Sequence, residues 1–167
     1  TYQAMINFVA ANSLVNQANY QQVADQIDLD NFIQYYAAQI YYDNTDWPGN
    51  NIKYWQPEGG KWRWILFDTD FGAGIWNGNA ANSNTLQFAL RADGPNCPNP
   101  PWSTLLFRRL MDNTGFRLRF INQLADEMNS RFLPTPVILH INEQARAIEQ
   151  EIPRHQQRWE ADYDWDN

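Results

Sequence analysis

Two acid-bearing turns carry the side chains in this sequence best suited to chemistry. Asp46-Trp47-Pro48-Gly49-Asn50-Asn51 sets an Asn five positions after an Asp, and Asp68-Thr69-Asp70-Phe71-Gly72 follows a short aromatic stretch. Carboxylate and amide oxygens are hard donors. A magnesium ion needs one or two carboxylates, completed by waters and substrate phosphates. A carboxylate beside a hydroxyl can take its proton as that oxygen becomes a nucleophile. On this reading Asp46 is the general base and Asn51 a metal ligand through its amide oxygen. Asp68 or Asp70 then bridges metal and phosphates.

The order of these residues matters. Protein kinases use an Asp, four residues, then an Asn in their catalytic loop, and a metal-binding Asp in a later Asp-Phe-Gly. Asp46 and Asn51 keep the first spacing, and Asp70-Phe71-Gly72 spells the second. The literal triplet favours Asp70 as the metal ligand. The end of an apolar strand, Trp64-Ile65-Leu66-Phe67-Asp68, favours Asp68, which ranks slightly ahead; residues two apart on a strand share a face, so both are kept. Taken singly, each of these residues also reads as an ordinary turn or strand cap. An EF-hand loop starting at Asp68 fails at once, with Gly72 at its fifth position and Asn79 where a Glu belongs.

The elements that must position these turns follow from spacing and breakers. Residues 2–11 have helical apolar spacing, and residues 20–27 read as a second short helix. Asp28 or Asp30 caps a third helix over 31–42, with Phe32, Tyr35, Tyr36, Ile40 and Tyr41 as its apolar stripe. Residues 52–55 and 61–67 read as strands joined by Gln56-Pro57-Glu58-Gly59-Gly60, with both faces of the second covered. The resulting hairpin would return the chain so that its two acidic ends lie side by side. Residues 72–101 read as a long loop, of the kind that is usually functional or mobile. Helices are expected at 102–111 and 116–132, the latter with Phe116, Phe120, Ile121, Leu124 and Met128 on one side. Pro134 and Pro136 break the chain, and a long polar helix over 137–159 is kinked at Pro153. The fold class is mainly α with one small antiparallel hairpin: one domain over 1–160 and an acidic tail at 161–167.

Composition narrows the function classes. Hydrophobic residues make up 44% of the 167, enough for a core in one domain. A net charge of −7 disfavours nonspecific binding to nucleic acid or anionic lipid. No apolar run reaches a membrane span, and no signal peptide is visible. The chain opens on Thr1 and reads as a piece of a longer or processed protein. Cys97 is the only cysteine and sits in a Pro-rich loop as an inert thiol; with only His140 and His155 beside it, a zinc site is not expected. Arg154, His155 and Arg158 fall on one side of the last helix, as candidate phosphate or substrate contacts or as a solvated face. Arg108-Arg109 has the same status. The Trp-rich hairpin reads first as core packing and second as a stacking platform for sugar.

Four segments together resemble the CotH kinase family, in its C-terminal part. They are Asp30-Asn31-Phe32-Ile33-Gln34-Tyr35-Tyr36, residues 44–55 beginning Asn44-Thr45-Asp46, residues 61–72 ending Asp68-Thr69-Asp70-Phe71-Gly72, and residues 153–159 beginning Pro153-Arg154-His155. The resemblance spans most of the chain. It implies a protein-kinase-like C-lobe and phosphorylation of spore coat, surface or secreted proteins by ATP with Mg2+ or Mn2+. It also implies Asp46 as the catalytic-loop Asp, Asn51 as the metal-side Asn, and Asp68 or Asp70 as the metal Asp.

A kinase also needs a phosphate clamp upstream: a glycine-rich loop, a strand lysine and its helix glutamate. The first 45 residues contain no Lys, Arg, Gly or Glu. The ATP-clamping lobe is therefore not in this chain, neither Lys53 nor Lys61 stands in for its lysine, and the chain alone is expected to be inactive or nearly so. Two other classes compete. A non-catalytic surface module binding glycan or a partner protein predicts Trp rings in a groove and separated carboxylates. A glycosidase predicts two acids across a deep cleft.

Overall fold

Helices begin where an oxygen-bearing side chain can satisfy a free first-turn amide. In the computed structural model, which describes residues 1–75 and 78–159, α1 (Tyr2–Ala11) starts at Thr1, whose hydroxyl accepts from the Ala4 amide. α2 (Gln17–Ala24) starts at Asn16, whose side chain accepts from the amides of Ala18 and Asn19. That cap moves the helix earlier than the apolar spacing predicts. Ile27, expected inside it, pairs instead with Trp62 in an isolated parallel bridge. α3 (Leu29–Tyr41) is capped by Asp28, one of the two residues expected there.

The hairpin is real but shorter than the aromatic pattern suggests. β1 (Lys53–Trp55) and β2 (Arg63–Ile65) pair antiparallel, with Lys53 opposite Ile65, Tyr54 opposite Trp64 and Trp55 opposite Arg63. Only Trp64 is buried on β2; Arg63 and Ile65 are exposed, so one face is covered where two were expected. The covered face stacks Tyr54 on Tyr2, with ring centroids 3.9 Å apart. The outer edge of β2 is closed by α3 and the turn before it. Asn31 accepts from the Trp64 amide at 2.6 Å and donates to the Trp64 carbonyl at 3.2 Å. The Asp28 amide donates to the Trp62 carbonyl, and the Trp62 amide to the Gln26 carbonyl. A two-stranded ribbon is marginal alone, and this lateral pairing is what fixes it.

The chain forms two compact units, Thr1–Asp126 and Glu127–Asn167. The core of the first is aromatic: Phe32, Tyr36, Trp47, Trp64, Phe107, Phe116 and Phe120 are all buried. Tyr36 and Phe107 stack at 4.1 Å, and Phe32 meets Trp64 edge-on at 4.6 Å. Residues 72–101 are not all loop. They contain a 3₁₀ turn, Ala80–Asn82, and α4 (Thr85–Ala89), whose Ala89 is buried in the core. α5 (Leu105–Asp112) contributes Leu106, Phe107 and Leu110. α6 (Thr114–Met128) buries Phe116 and Phe120, while Ile121 and Met128 are exposed, so its buried stripe is narrower than expected.

Residues 134–159 are helical, and their helices bury no residue. Pro134 and Pro136 start α7 (Pro134–Ile148) instead of breaking the chain. The first turn has no use for their missing amides. The expected long helix is interrupted by a 3₁₀ turn, Glu149–Glu151, before α8 (Ile152–Trp159), and Pro153 sits in the first turn of α8. The acidic tail at 161–167 lies outside the described residues. Among the described residues no helix is long and apolar enough to cross a membrane.

Candidate phosphotransfer site

The first acidic turn grows out of the buried end of α3. Gln39, fully buried on the apolar stripe of that helix, donates to the Tyr35 hydroxyl at 3.4 Å, and its carbonyl oxygen accepts from Asn44 Nδ2 at 2.9 Å. Asn44 is also buried, and its Oδ1 accepts from the Asp46 amide at 3.1 Å. Trp47, fully buried, donates from Nε1 to the same Tyr35 hydroxyl at 3.0 Å. A buried polar network is rigid when each member is satisfied. This one ties the backbone of Asp46 to the core while its carboxylate reaches the surface. Gln39, Asn44 and Trp47 were given no role from sequence, and Tyr35 was read only as part of the apolar stripe. The available signal was Gln39, a polar residue one turn after Tyr35 on an apolar face.

The same turn fixes its own carboxylate. Asp46 Oδ2 accepts from Asn51 Nδ2 at 2.9 Å and from Asn50 Nδ2 at 2.8 Å. Oδ1 of Asp46 carries no hydrogen bond among the described residues. Asn51 has a φ of +51°, a left-handed conformation that Asn tolerates better than most residues. With its Nδ2 committed to Asp46, its Oδ1 remains an oxygen donor. The predicted base and the predicted metal-side amide are thus in direct contact.

The second turn is stitched to the first by backbone. The Phe71 carbonyl accepts from the Thr45 amide at 3.2 Å and from the Thr45 hydroxyl at 3.0 Å. The Ala73 amide donates to the Tyr42 carbonyl at 2.6 Å. Gly72 is needed for this approach, since a Cβ there would lie 2.9 Å from the Tyr42 carbonyl oxygen. Asp68 stands at φ +53°, at the corner where β2 leaves the hairpin. Its pKa is raised, by desolvation first, then by its side-chain interaction with Asp70 and the negative charges of Asp70 and Asp46, with Lys53 opposing. Asp46 and Asp70 are thus both within electrostatic reach of Asp68.

Among the described residues no three His, Cys, Asp or Glu side chains gather closely enough to hold a metal by themselves. Magnesium does not need that many. Neighbouring carboxyls whose negative charges oppose one another form a donor set that a divalent cation would relieve, since the cation favours ionised forms. Asp68 and Asp70 fit that requirement, and Asn51 Oδ1 adds a neutral oxygen.

Beside the first turn lies a cavity of about 660 Å³, lined in part by Asp43, Thr45, Thr85, Phe88 and Arg91. Thr85 at the start of α4 donates to Asp43 Oδ1 at 2.6 Å, which joins residues 72–101 to the turn. Arg154, His155 and Arg158 lie on α8 in the second unit, where Arg154 pairs with Glu151 at 3.1 Å and Arg158 stacks over Trp159 at 5.4 Å. Arg108 donates to the Thr104 hydroxyl and the Pro101 carbonyl, and Arg109 pairs with Asp112 at 3.7 Å. Cys97 is exposed. On the hairpin, Trp64 is buried and Trp55 exposed, so packing takes one ring and leaves the other outside.

Compared with known proteins, residues 1–166 match the family described as CotH kinase protein. No curated protein and no solved structure matches the chain.

Proposed function

This chain belongs to the CotH kinase family, and from that membership and the geometry of its two acidic turns we propose that it is the catalytic and metal-holding lobe of a CotH-type phosphotransferase. The reaction would move the γ-phosphoryl group of ATP to a Ser or Thr hydroxyl of a spore coat or surface protein. The observation that carries the reading is the direct Asp46–Asn51 bond, with Asp46 and Asp70 both in electrostatic reach of Asp68.

The roles follow from which atoms are committed. Asp46 Oδ2 is held by two amides, so the carboxylate cannot swing, and Oδ1 takes the proton of the acceptor hydroxyl. Asp68 and Asp70, with Asn51 Oδ1, would hold the divalent cation. When bound, that cation neutralises the β- and γ-phosphate oxygens. The cavity lined by Asp43, Asn44 and Thr45, the residues just before Asp46, would give an acceptor chain room. The nucleotide clamp would come from outside this chain, and this lobe alone is expected to turn over slowly or not at all.

The test uses the natural full-length protein and measures Mg2+-dependent nucleotide binding and phosphate transfer separately. Asp46→Asn is expected to lower kcat by about 10²–10⁴-fold, the usual worth of a general base, with nucleotide affinity nearly unchanged. Asp68→Asn is expected to weaken Mg2+-nucleotide binding itself. Asn is the right replacement there because it accepts the positive φ that Ala resists. Wild-type transfer that survives both substitutions would end this reading.

A further inference from the structure

The site described above is acidic throughout, yet its proposed substrate is a polyphosphate. Asp46, Asp68 and Asp70 add negative charge where more must arrive, and a cation from the protein is required alongside the metal. The basic side chains of the first unit can be accounted for one by one. Lys61 donates to the Ala24 carbonyl, Arg63 pairs with Asp28, Arg91 with Asp93, and Arg119 with Asp30. Arg108 and Arg109 are engaged as described, and Arg117 donates to the Met111 carbonyl. Lys53 alone has no hydrogen bond or ion pair among the described residues.

Lys53 is also where the charge is wanted. It opens β1, two residues after Asn51, and is exposed. Its Nζ rests 4.1 Å from the centroid of the Phe67 ring, and Phe67 immediately precedes Asp68. An ammonium over an aromatic face is held loosely, by roughly 0.5–1 kcal/mol at exposed sites. A ligand oxyanion would outcompete that contact, because hydrogen bonds between charged partners are the strong ones. The flexible four-carbon stem lets the ammonium swing away from the ring without disturbing the strand.

We propose that Lys53 is a catalytic residue of this site, leaving the Phe67 face to contact the γ-phosphoryl group of the bound nucleoside triphosphate. This rests on the phosphotransfer reading above. In the transfer step the acceptor oxygen gives its proton to Asp46 and forms the new bond to the γ-phosphorus. The bond from that phosphorus to the bridging oxygen breaks, and the nucleoside diphosphate departs with the electron pair. Lys53 stays protonated throughout and balances charge on the equatorial oxygens of the group in flight. It is not the strand lysine of the upstream clamp, since it lies downstream of Asp46 and Asn51 in the sequence.

The test compares wild type, Lys53→Met, Lys53→Arg and Asp46→Asn in the full-length protein. The readouts are Mg2+-ATP and Mg2+-ADP affinities by calorimetry, steady-state transfer and thermal unfolding without nucleotide. Lys53→Met is expected to narrow the preference for ATP over ADP and to lower kcat/KM by about 10- to 100-fold, in line with one charged hydrogen bond. Lys53→Arg should recover part of both losses, and the unfolding temperature should not move. Wild-type ATP preference and turnover in Lys53→Met, with Asp46→Asn inactive, would overturn the role of Lys53 and leave the phosphotransfer reading standing. Equal losses of ATP and ADP affinity, or a lowered unfolding temperature that accounts for the loss of turnover, would also overturn it. A wild-type protein that neither binds nucleotide nor transfers phosphate would overturn both.

Discussion

On the proposed reading, Asp68 is a carboxyl asked to do two things. Its pKa is raised, by desolvation first and then by Asp70 and Asp46 beside it. The folded state then holds the Asp68 proton more tightly than the unfolded chain. Its contribution to stability is present at low pH and is lost as pH rises from the ordinary Asp range through the folded value. Metal binding has the opposite demand, since the cation needs the ionised carboxyl. Mg2+-nucleotide binding is therefore expected to show an acid limb above the ordinary Asp range. Asp70→Asn removes a negative neighbour and should shift that limb to lower pH. A calorimetric pH series on the two proteins checks this, and an unshifted limb would mean that Asp70 does not raise the Asp68 pKa at the metal.

At the scale of elements, the two turns are held by different means. The second is tied by backbone bonds to residues 42–45, so its placement follows from the first. The first depends on α3 below it and on residues 98–100 beside it. The Gly49 amide donates to the Pro98 carbonyl, and a Cβ on Gly49 would lie 2.3 Å from Pro100 Cδ and 2.5 Å from the Pro98 oxygen. Neither a proline ring nor a backbone oxygen yields easily. Gly49→Ala is expected to destabilise the protein by about 1–3 kcal/mol, as overpacking does. It should also lower transfer further than stability alone explains, because Gly49 lies between Asp46 and Asn51. Denaturant titration and kinetics on the same preparation separate the two effects. The hairpin between the turns contributes less than its aromatic content suggests, with Trp64 its one buried strand residue.

At the scale of the whole molecule, the first unit is an aromatic core with an acidic site at the mouth of one helix. Phe107 is fully buried and stacks on Tyr36. Phe107→Ala is expected to cost about 3–5 kcal/mol in unfolding free energy. A loss under about 1 kcal/mol in denaturant titration would mean that the core relaxes around the cavity. The spacing of acids and amides made the candidate site legible from sequence, because Asp46 and Asn51 lie within one turn and local geometry alone brings them together. The main helices were legible for the same reason, as their stripes and breakers act over a few residues. Less local features were not. The early start of α2, the short α4 inside residues 72–101 and the single buried face of the hairpin depend on caps and lateral pairings that composition does not announce. The Gln39–Asn44 anchor beneath Asp46 was equally hidden, since a Gln on an apolar stripe becomes meaningful only when its partner arrives. Sequence by itself determined which residues could carry the chemistry, because donor type is a property of the side chain. Tertiary structure decided that Asp46 acts electrostatically on Asp68 and that the Lys53 ammonium rests on the Phe67 ring with no ion pair, because charge interactions fall off with distance and distance is set by the fold.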